Sequence, residues 1–218
     1  MLRWPFARRR THVIERLEPQ AAYALWAESY PPHPHNALMA LEQAAVLSLL
    51  PNLRGLTVVD AGCGSGRYLR ELHERGANPI GFDLSAAMLG KARAVTTRIA
   101  RANLCALPID STSVDVIVCG LALGDVPHLE IALLEMARVL RPGGCVVYSV
   151  VHPVGGIAGW SRTFETDGRH IDIDGYWHTV AEHRQACLAA GLQVNAWQEP
   201  ELAEAPGHPA VLVVRASR

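Results

Sequence analysis

Residues 58–66, with the sequence VVDAGCGSG, constrain the fold more than any other part of the chain. The apolar run that begins at Leu56 and ends at Asp60 is typical of a buried, parallel strand. Three glycines then follow at every second position, and because they have no Cβ atom their backbone can bend sharply and approach a ligand closely. A helix that begins near Arg67 would direct its N-terminal amides at that ligand. The segment therefore predicts a strand, a ligand-binding loop and a helix, with Asp60 placed to accept hydrogen bonds from ammonium or amide groups.

A second apolar strand, ending in the acid Asp83, follows after about one helix and one turn. The carboxyl ends of neighbouring parallel strands meet at one edge of a sheet, where ligands bind. A carboxylate at that edge can accept hydrogen bonds from both hydroxyls of a ribose. The glycine spacing is G-x-G-x-G and differs from the G-x-G-x-x-G spacing of dinucleotide-binding loops.

The remaining chain continues the alternation of strands and helices. After a short third strand comes the loop ANLCALP at 102–108, and strands are predicted at 114–119 and, after a tight turn at 141–144, at 145–151. Helices are predicted near residues 38–49, 67–75, 85–95, 128–139 and 179–190, and the last two strands, 192–197 and 210–215, have no helix between them. This pattern predicts an α/β fold with a doubly wound, mostly parallel sheet.

The ordered segments DAGCGSG, GFDLS, ANLCALP, DVIVCGLAL and LRPGG resemble a class I S-adenosylmethionine-dependent methyltransferase. The chain is similar to the group that includes the ubiquinone, menaquinone and malonyl-carrier methyltransferases, over about residues 20–215. The resemblance implies a Rossmann-like seven-stranded sheet that is closed by an antiparallel C-terminal hairpin. It also implies S-adenosylmethionine as the cofactor.

The resemblance assigns the methionine part of the cofactor to the glycine loop, the ribose to the acid after the second strand, and the adenine to the ANLCALP loop. The residues predicted in this way to bind the cofactor are Asp60, Gly62, Cys63, Gly64, Gly66, Asp83, Leu84, Asn103, Leu104 and Tyr23. Family members usually carry an Asp at the position of Asn103. An amide still accepts a hydrogen bond from an adenine amino group, but the contact loses its charge.

Length and composition limit the other properties of the chain. At 218 residues one domain is expected, with residues 1–18 as a loose lead-in and residues 19–218 as the methyltransferase domain. A formal net charge of −1 gives no indication of a nucleic-acid partner. Five dispersed cysteines without a C-x-x-C pair, and no apolar stretch after the N-terminal arginines, predict a cytoplasmic protein without a signal peptide or membrane span. His33 and His35 lack a third ligand, so no metal site is expected.

Two segments are predicted to cap the active site, at about residues 20–50 and at 152–178. The second has no clear period and leaves the carboxyl end of the fifth strand, where ligands of open α/β sheets bind. The aromatic residues of these segments are predicted to form an apolar pocket for the methyl acceptor. They are Tyr30, Trp160, Tyr176 and Trp177.

Methyl transfer from a sulfonium is an in-line displacement that mainly requires alignment of the acceptor. A hydroxyl, an amine or an acidic carbon would also need a general base, whereas a carboxylate acceptor would not. His152, directly after the fifth strand, and His178, before the helix capped by Thr179, are the predicted bases; His128 and His170 are less well placed.

The sequence predicts methyl transfer to an O, N or activated C atom of a small molecule. Alternative functions are a nucleic-acid or protein methyltransferase, a nicotinamide oxidoreductase, and a cofactor-binding protein without catalytic activity. The sequence leaves the acceptor and the oligomeric state open.

Overall fold

The computed structural model describes residues 15–218, which form ten strands, seven α-helices and one short 3-10 helix. The strands are β1 (Glu15–Leu17), β2 (Val58–Ala61), β3 (Ile80–Asp83), β4 (Ile99–Arg101), β5 (Val114–Gly120), β6 (Leu140–Val151), β7 (Arg162–Thr166), β8 (Arg169–Ile173), β9 (Gln193–Gln198) and β10 (Val211–Ser217). The helices are α1 (Pro19–Trp26), α2 (Ala37–Ser48), α3 (Arg67–Glu74), α4 (Ala86–Ala92), α5 (Leu129–Val139), α6 (Val154–Ala158) and α7 (Val180–Ala189), and the 3-10 helix is Leu123–Asp125.

Seven strands form one sheet in the order β4-β3-β2-β5-β6-β10-β9. All neighbours are parallel except β10, which is antiparallel to both β6 and β9. The strand order changes direction at β2, so that β3 and β5 are its two neighbours. The predicted α/β fold, with a mostly parallel sheet and an antiparallel C-terminal hairpin, is confirmed.

Two apolar layers cover the faces of this sheet. On one face, Leu133 and Met136 of α5 pack with Ile117 of β5. On the other face, Val46 of α2 packs with Leu72 of α3 and with the second side of the same strands. Because both faces are buried, the central strands are continuous apolar runs without alternation.

Short polar side chains fix the beginnings of several helices. Asn36 caps α2 by accepting a hydrogen bond from Met39 N at 2.9 Å. Thr179 and Glu182 form a reciprocal capping box at α7, which confirms the predicted helix start.

No helix within residues 15–218 is long and apolar enough to cross a membrane.

A small second sheet, in the order β1-β8-β7, is the main departure from the sequence prediction. The prediction of an irregular segment at 152–178 is wrong, because α6, β7 and β8 lie within it. Asp167 and Gly168, with φ of 48° and 71°, make the tight turn of the β7–β8 hairpin. Such an Asp-Gly pair is a hairpin signal that the sequence carries. The loose lead-in at 1–18 is also wrong for Glu15–Leu17, which pairs in parallel with β8; residues 1–14 lie outside the described part.

The predicted turn at 141–144 is an irregularity within a longer strand. β6 begins at Leu140, which pairs with Val114, and the register then shifts before Cys145 pairs with Val116. Gly143 has a φ of +81°, which a glycine adopts without strain.

Candidate functional site

The glycine loop after β2 is held against the end of β3 by backbone hydrogen bonds. Gly62 N and Cys63 N both donate to Phe82 O, at 2.7 and 2.9 Å, and Gly66 N donates to Cys63 O at 2.9 Å. Gly62, Gly64 and Gly66 have φ values of 79°, 53° and 93°. This left-handed backbone is one that other residues rarely adopt, and it explains the alternating glycines.

One side of the loop is packed against protein and the other is open. A Cβ atom on Gly62 would lie 2.4 Å from Cβ of Ala122, so the loop after β2 touches the loop after β5. A Cβ atom on Gly64 would have no heavy atom within 4 Å. The open side therefore has room for a ligand directly beside the backbone of Gly64.

Asp83 ends β3 at the rim of this open side. Its Oδ2 accepts from Gly64 N and its Oδ1 accepts from Ser85 N, both at 2.8 Å. Burial raises the pKa of Asp83, while the amides of Ser85 and Gly64 oppose that shift. Each carboxylate oxygen has a further lone pair, so the fixed carboxylate fits a pair of ribose hydroxyls.

Asp60 at the end of β2 is a buried carboxyl group without a partner. Its side chain is 1% exposed, and neither Oδ atom has a hydrogen-bond partner among residues 15–218. Burial raises the pKa of Asp60 to about 8, and the nearby Arg67 only partly opposes this shift. A buried carboxyl of this kind gains most from a cation, and the methionine part of S-adenosylmethionine carries a sulfonium and an ammonium.

The ANLCALP loop lies beside the glycine loop. Leu104 is buried, 3.8 Å from the position of a Cβ on Gly62, whereas Asn103 is exposed and its Oδ1 accepts from Cys105 N at 2.9 Å. Leu84 is 43% exposed beside Asp83. Burial raises the pKa of the Cys63 thiol, so this group stays neutral and unreactive.

A polar network that the sequence analysis missed lies behind the glycine loop. Glu42 of α2 is fully buried and accepts from Arg67 Nη1 at 2.9 Å, from the Tyr68 hydroxyl at 2.8 Å and from Ser149 Oγ at 2.5 Å. The network joins α2 to the start of α3 and the end of β6. The sequence signal for this network was the position of Glu42, four residues after Leu38, because that spacing places a carboxylate on the apolar face of the predicted helix.

A narrow cleft lies at the carboxyl ends of β5 and β6, beside Arg162 of β7, and its free space of about 20 Å³ has room for about one water molecule. Leu121 and Gly124, which flank the loop residue Ala122, form its wall toward the glycine loop. The whole lining is Leu121, Gly124, Val150, Val151, Pro153, Arg162, Gly175, Tyr176, Trp177, His178 and His183. We call this space the inner cavity.

A partly buried ion pair fastens the small sheet beside the inner cavity. Arg162 Nη2 of β7 donates to Asp125 Oδ1 at 2.5 Å and to Asp174 O at 2.9 Å. Burial alone would lower the pKa of the Arg162 guanidinium. The carboxylate of Asp125 opposes this effect, and the pKa is raised. Burial and the charge of Asp125 also raise the pKa of the Tyr23 hydroxyl, so α1 joins the same polar centre. A second cavity shares Arg162, Gly175 and Trp177 with the inner cavity as lining residues.

The predicted acceptor-binding aromatic residues lie in three places. Tyr176 lines the inner cavity, Trp160 lines the second one, and Trp177 lines both. Tyr30 instead packs edge-on against Trp26, with ring centroids 4.7 Å apart. The structure therefore brings Tyr176 and Trp177 together and places Tyr30 in an aromatic cluster of the N-terminal segment.

The two histidines predicted as bases have different surroundings. His178 lines the inner cavity, and its Nε2 lies 2.8 Å from Val126 O. Because a carbonyl oxygen only accepts, Nε2 carries a proton, and in the neutral form of the ring Nδ1 has the lone pair. His152 is not a lining residue: its Nδ1 accepts from Val154 N at 3.2 Å and its Nε2 lies 3.6 Å from Glu199 Oε1. Burial lowers the pKa of His152, and Glu199 opposes this.

His183 of α7 is a cavity residue that the sequence analysis missed. It is 1% exposed and lines the inner cavity. Its spacing from the buried Ala186 and Cys187 places it on the inner face of the helix, and that spacing was the available signal. No group of three potential metal ligands occurs in the part of the chain that the structure describes.

Comparisons with known proteins agree with this geometry. Residues 59–148 match the family model described as a methyltransferase domain. The malonyl-[acyl-carrier protein] O-methyltransferase of Pectobacterium atrosepticum is 32% identical over 158 residues, which are 66% of this chain and 62% of that protein. The demethylmenaquinone methyltransferase of Lactococcus lactis is 33% identical over 127 residues, 51% of this chain and 50% of that protein. The chain thus spans between half and about three fifths of these curated relatives.

A solved structure extends the likeness to a whole protein. The crystal structure of an S-adenosylmethionine-dependent methyltransferase from Mesorhizobium loti superposes with a TM-score of 0.71 at 30% identity, and the match covers 84% of this chain and 100% of that one. The glycine loop, the strand order and this full-length likeness agree. The chain belongs to the S-adenosylmethionine-dependent methyltransferases.

Proposed function

We propose that this protein transfers the methyl group of S-adenosylmethionine to a small-molecule acceptor held in the inner cavity. One observation carries the proposal: the packing of Gly62 against Ala122. This contact makes the loop that would hold the cofactor and the wall of the inner cavity neighbours, since Leu121 and Gly124 flank Ala122. A methyl group at the open side of the glycine loop would therefore lie next to the cavity.

The cofactor roles follow from the chemistry of each position. Asp60 and the glycine loop would hold the methionine part, and Asp83 would accept from both ribose hydroxyls. Asn103 and Leu104 would contact the adenine, with the Asn103 Oδ1 shared with Cys105 N. When bound, the cofactor supplies an electrophilic methyl group on a positively charged sulfur.

The contribution of the chain to the reaction is mainly alignment and exclusion of water. The inner cavity is enclosed by apolar side chains, by the rings of Tyr176 and Trp177, and by the hairpin that Arg162 fastens to Asp125. Holding an acceptor in line with the methyl group supplies about 7–11 kcal/mol of the barrier reduction. The free space of about 20 Å³ is smaller than an acceptor, so binding would require the side chains that line the cavity to move apart.

The names of two relatives support an acyl or small-molecule acceptor. One is named for a malonyl group on a carrier protein and the other for a demethylated menaquinone. For an acceptor that has to lose a proton, His178 is a base through Nδ1, because its Nε2 is engaged by Val126 O. His152 remains a candidate only if its ring leaves the Glu199 side.

The proposal is tested by incubating the protein with methyl-labelled S-adenosylmethionine and a fractionated metabolite extract. Mass spectrometry is expected to find the label in a small-molecule fraction, with S-adenosylhomocysteine formed in equal amount. Label recovered only in protein or nucleic acid, or no labelled product in any fraction, would contradict it.

A further inference from the structure

Leu121, which directly follows β5 and lines the inner cavity, has a strained backbone. Its φ is +60°, in the left-handed region, which for an aliphatic residue is disfavoured by about 5- to 30-fold in population. The other two non-glycine residues with positive φ in residues 15–218, Thr112 and Asp167, lie in turns and carry polar side chains. Strain of this kind persists only where neighbouring groups enforce it.

Both oxygens of Ser149, in β6, hold this strained turn. The amide of Leu121 donates to the carbonyl oxygen and to Oγ of Ser149, at 3.1 and 3.0 Å. Because an amide only donates, the Ser149 hydroxyl accepts in this contact, and its own proton is directed to Glu42 Oε1 at 2.5 Å. A hydroxyl that donates to a carboxylate forms a short, strong hydrogen bond and becomes a better acceptor for the amide.

Glu42 is fixed in turn by the first two residues of α3. It is fully buried, and it accepts from the Tyr68 hydroxyl at 2.8 Å on the same oxygen that accepts from Ser149. Its other oxygen accepts from Arg67 Nη1 at 2.9 Å. Because α3 begins directly after the glycine loop, the carboxylate joins the end of that loop to the turn at Leu121.

We infer that Ser149 and Glu42 are positioning residues for the cofactor. By holding Leu121 in its left-handed conformation, they set the direction in which the chain leaves β5 and keep Ala122 packed against Gly62. Without the Ser149 hydroxyl the strain favours other conformations of the turn, and the closed side of the glycine loop loses its neighbour. The apparent dissociation constant of the cofactor then rises, because only a fraction of the molecules can bind it. The inference rests on the proposed placement of the cofactor.

Calorimetric titration with S-adenosylhomocysteine compares Ser149→Ala with Tyr68→Phe. Each variant removes one hydroxyl from the same oxygen of Glu42, but only the Ser149 hydroxyl also contacts Leu121. We expect the affinity to fall about 2- to 10-fold in Ser149→Ala, as for the loss of one hydrogen bond, and to change by less than about twofold in Tyr68→Phe. Wild-type affinity in Ser149→Ala overturns the inference, and so does an equal loss in both variants.

Substitutions of Leu121 separate the enforced turn from a general packing role of Ser149. A glycine adopts positive φ without strain, so in a Leu121→Gly background the Ser149→Ala change should alter the affinity by less than about twofold. Leu121→Ala also shortens the side chain but keeps the strain, so in that background Ser149→Ala should still weaken binding about 2- to 10-fold. The same loss in both backgrounds overturns the inference, because a packing role does not depend on the strain.

NMR couplings across the φ bond of Leu121 measure the turn directly in isotope-labelled protein. We expect a positive φ in the free wild type, and in Ser149→Ala an average shifted toward negative φ that S-adenosylhomocysteine reverses. A negative φ in the wild type overturns the inference. Ser149→Cys, with a weaker acceptor in place of the hydroxyl, replaces Ser149→Ala if that variant fails to fold.

The titrations also distinguish this inference from the proposed function. A wild type that does not bind S-adenosylhomocysteine refutes the proposed function, and the inference falls with it. Normal binding by the wild type with no loss in Ser149→Ala refutes the inference alone.

Discussion

Alanine substitutions of three glycines separate the structural role of the glycine loop from its ligand-binding role. Gly62, Gly64 and Gly55 all have positive φ, at 79°, 53° and 77°. Only Gly62 is crowded, with Ala122 Cβ 2.4 Å from a built Cβ, while the other two have open space within 4 Å. Gly55 precedes β2 and lies at the opposite end of that strand from the loop, so it serves as the matched control.

The magnitudes follow from these geometries. A left-handed backbone costs an alanine about 1–2 kcal/mol, and this cost applies to all three variants. Gly62→Ala also forces Ala122 to move in a packed region, which adds about 1–3 kcal/mol. We therefore expect a loss of unfolding free energy of about 2–5 kcal/mol for Gly62→Ala and of about 1–2 kcal/mol for Gly64→Ala and Gly55→Ala. Gly64→Ala alone should combine small destabilisation with a large loss of cofactor binding, because its methyl group occupies the open side.

Urea denaturation gives the free energies and calorimetric titration with S-adenosylhomocysteine gives the affinities. Gly55→Ala is expected to bind as the wild type does. Gly64→Ala that binds equally well would refute the assignment of the open side to the cofactor. Equal stability of Gly62→Ala and Gly55→Ala would refute the packing of the glycine loop on Ala122.

Three further outcomes are expected from substitutions of acidic and basic side chains at the site. Asp83→Ala leaves the ribose hydroxyls unpaired and should weaken S-adenosylhomocysteine binding by about 1–3 kcal/mol in calorimetry; unchanged affinity would contradict the ribose role. Arg162→Met leaves the partly buried Asp125 without its partner and should lower the unfolding free energy by about 1–3 kcal/mol in urea denaturation; a neutral effect would show that the pair does not fasten the small sheet. Asp60, with its pKa raised to about 8, keeps its proton in the folded state while the unfolded chain releases it above about pH 4, so the wild type loses stability as pH rises across that window. Asp60→Asn cannot ionise, so its stability relative to the wild type should increase between pH 5 and 8 by up to about 1.4 kcal/mol per pH unit, and a constant difference would contradict the buried, unpaired state.

The sequence predicts the large sheet because each of its strands has a local signature. The apolar runs of β2 and β5 and the glycine loop are each a short contiguous segment. Each can therefore be recognised from its own residues alone. The small sheet has no such signature: β7 and β8 are short and rich in charged residues, and their third strand, Glu15–Leu17, comes from more than 150 residues earlier in the chain. Only the Asp167-Gly168 turn was readable locally.

The same distinction applies to the site. Asp83 and the glycines of the loop are set by strand ends, which sequence patterns locate. Packing between elements that are distant in sequence places His183 at the inner cavity, buries Glu42 and forms the Arg162–Asp125 pair. The spacing of a histidine from the apolar residues of its helix predicts which face of the helix it lies on. Which cavity that face borders depends on the whole fold.

The central claim is that the glycine loop and the inner cavity are two parts of one site. Gly124 lines the inner cavity, has an ordinary φ, and has no heavy atom within 4 Å of a built Cβ, so Gly124→Leu should fill the cavity without straining the backbone. Gly90→Leu, at an equally open position on α4, is the control. Both variants are compared with the wild type for S-adenosylhomocysteine affinity and for transfer of a labelled methyl group to a metabolite extract. The account predicts that Gly124→Leu binds the cofactor product normally and loses methyl transfer, while Gly90→Leu keeps both. Methyl transfer at the wild-type level by Gly124→Leu would contradict it.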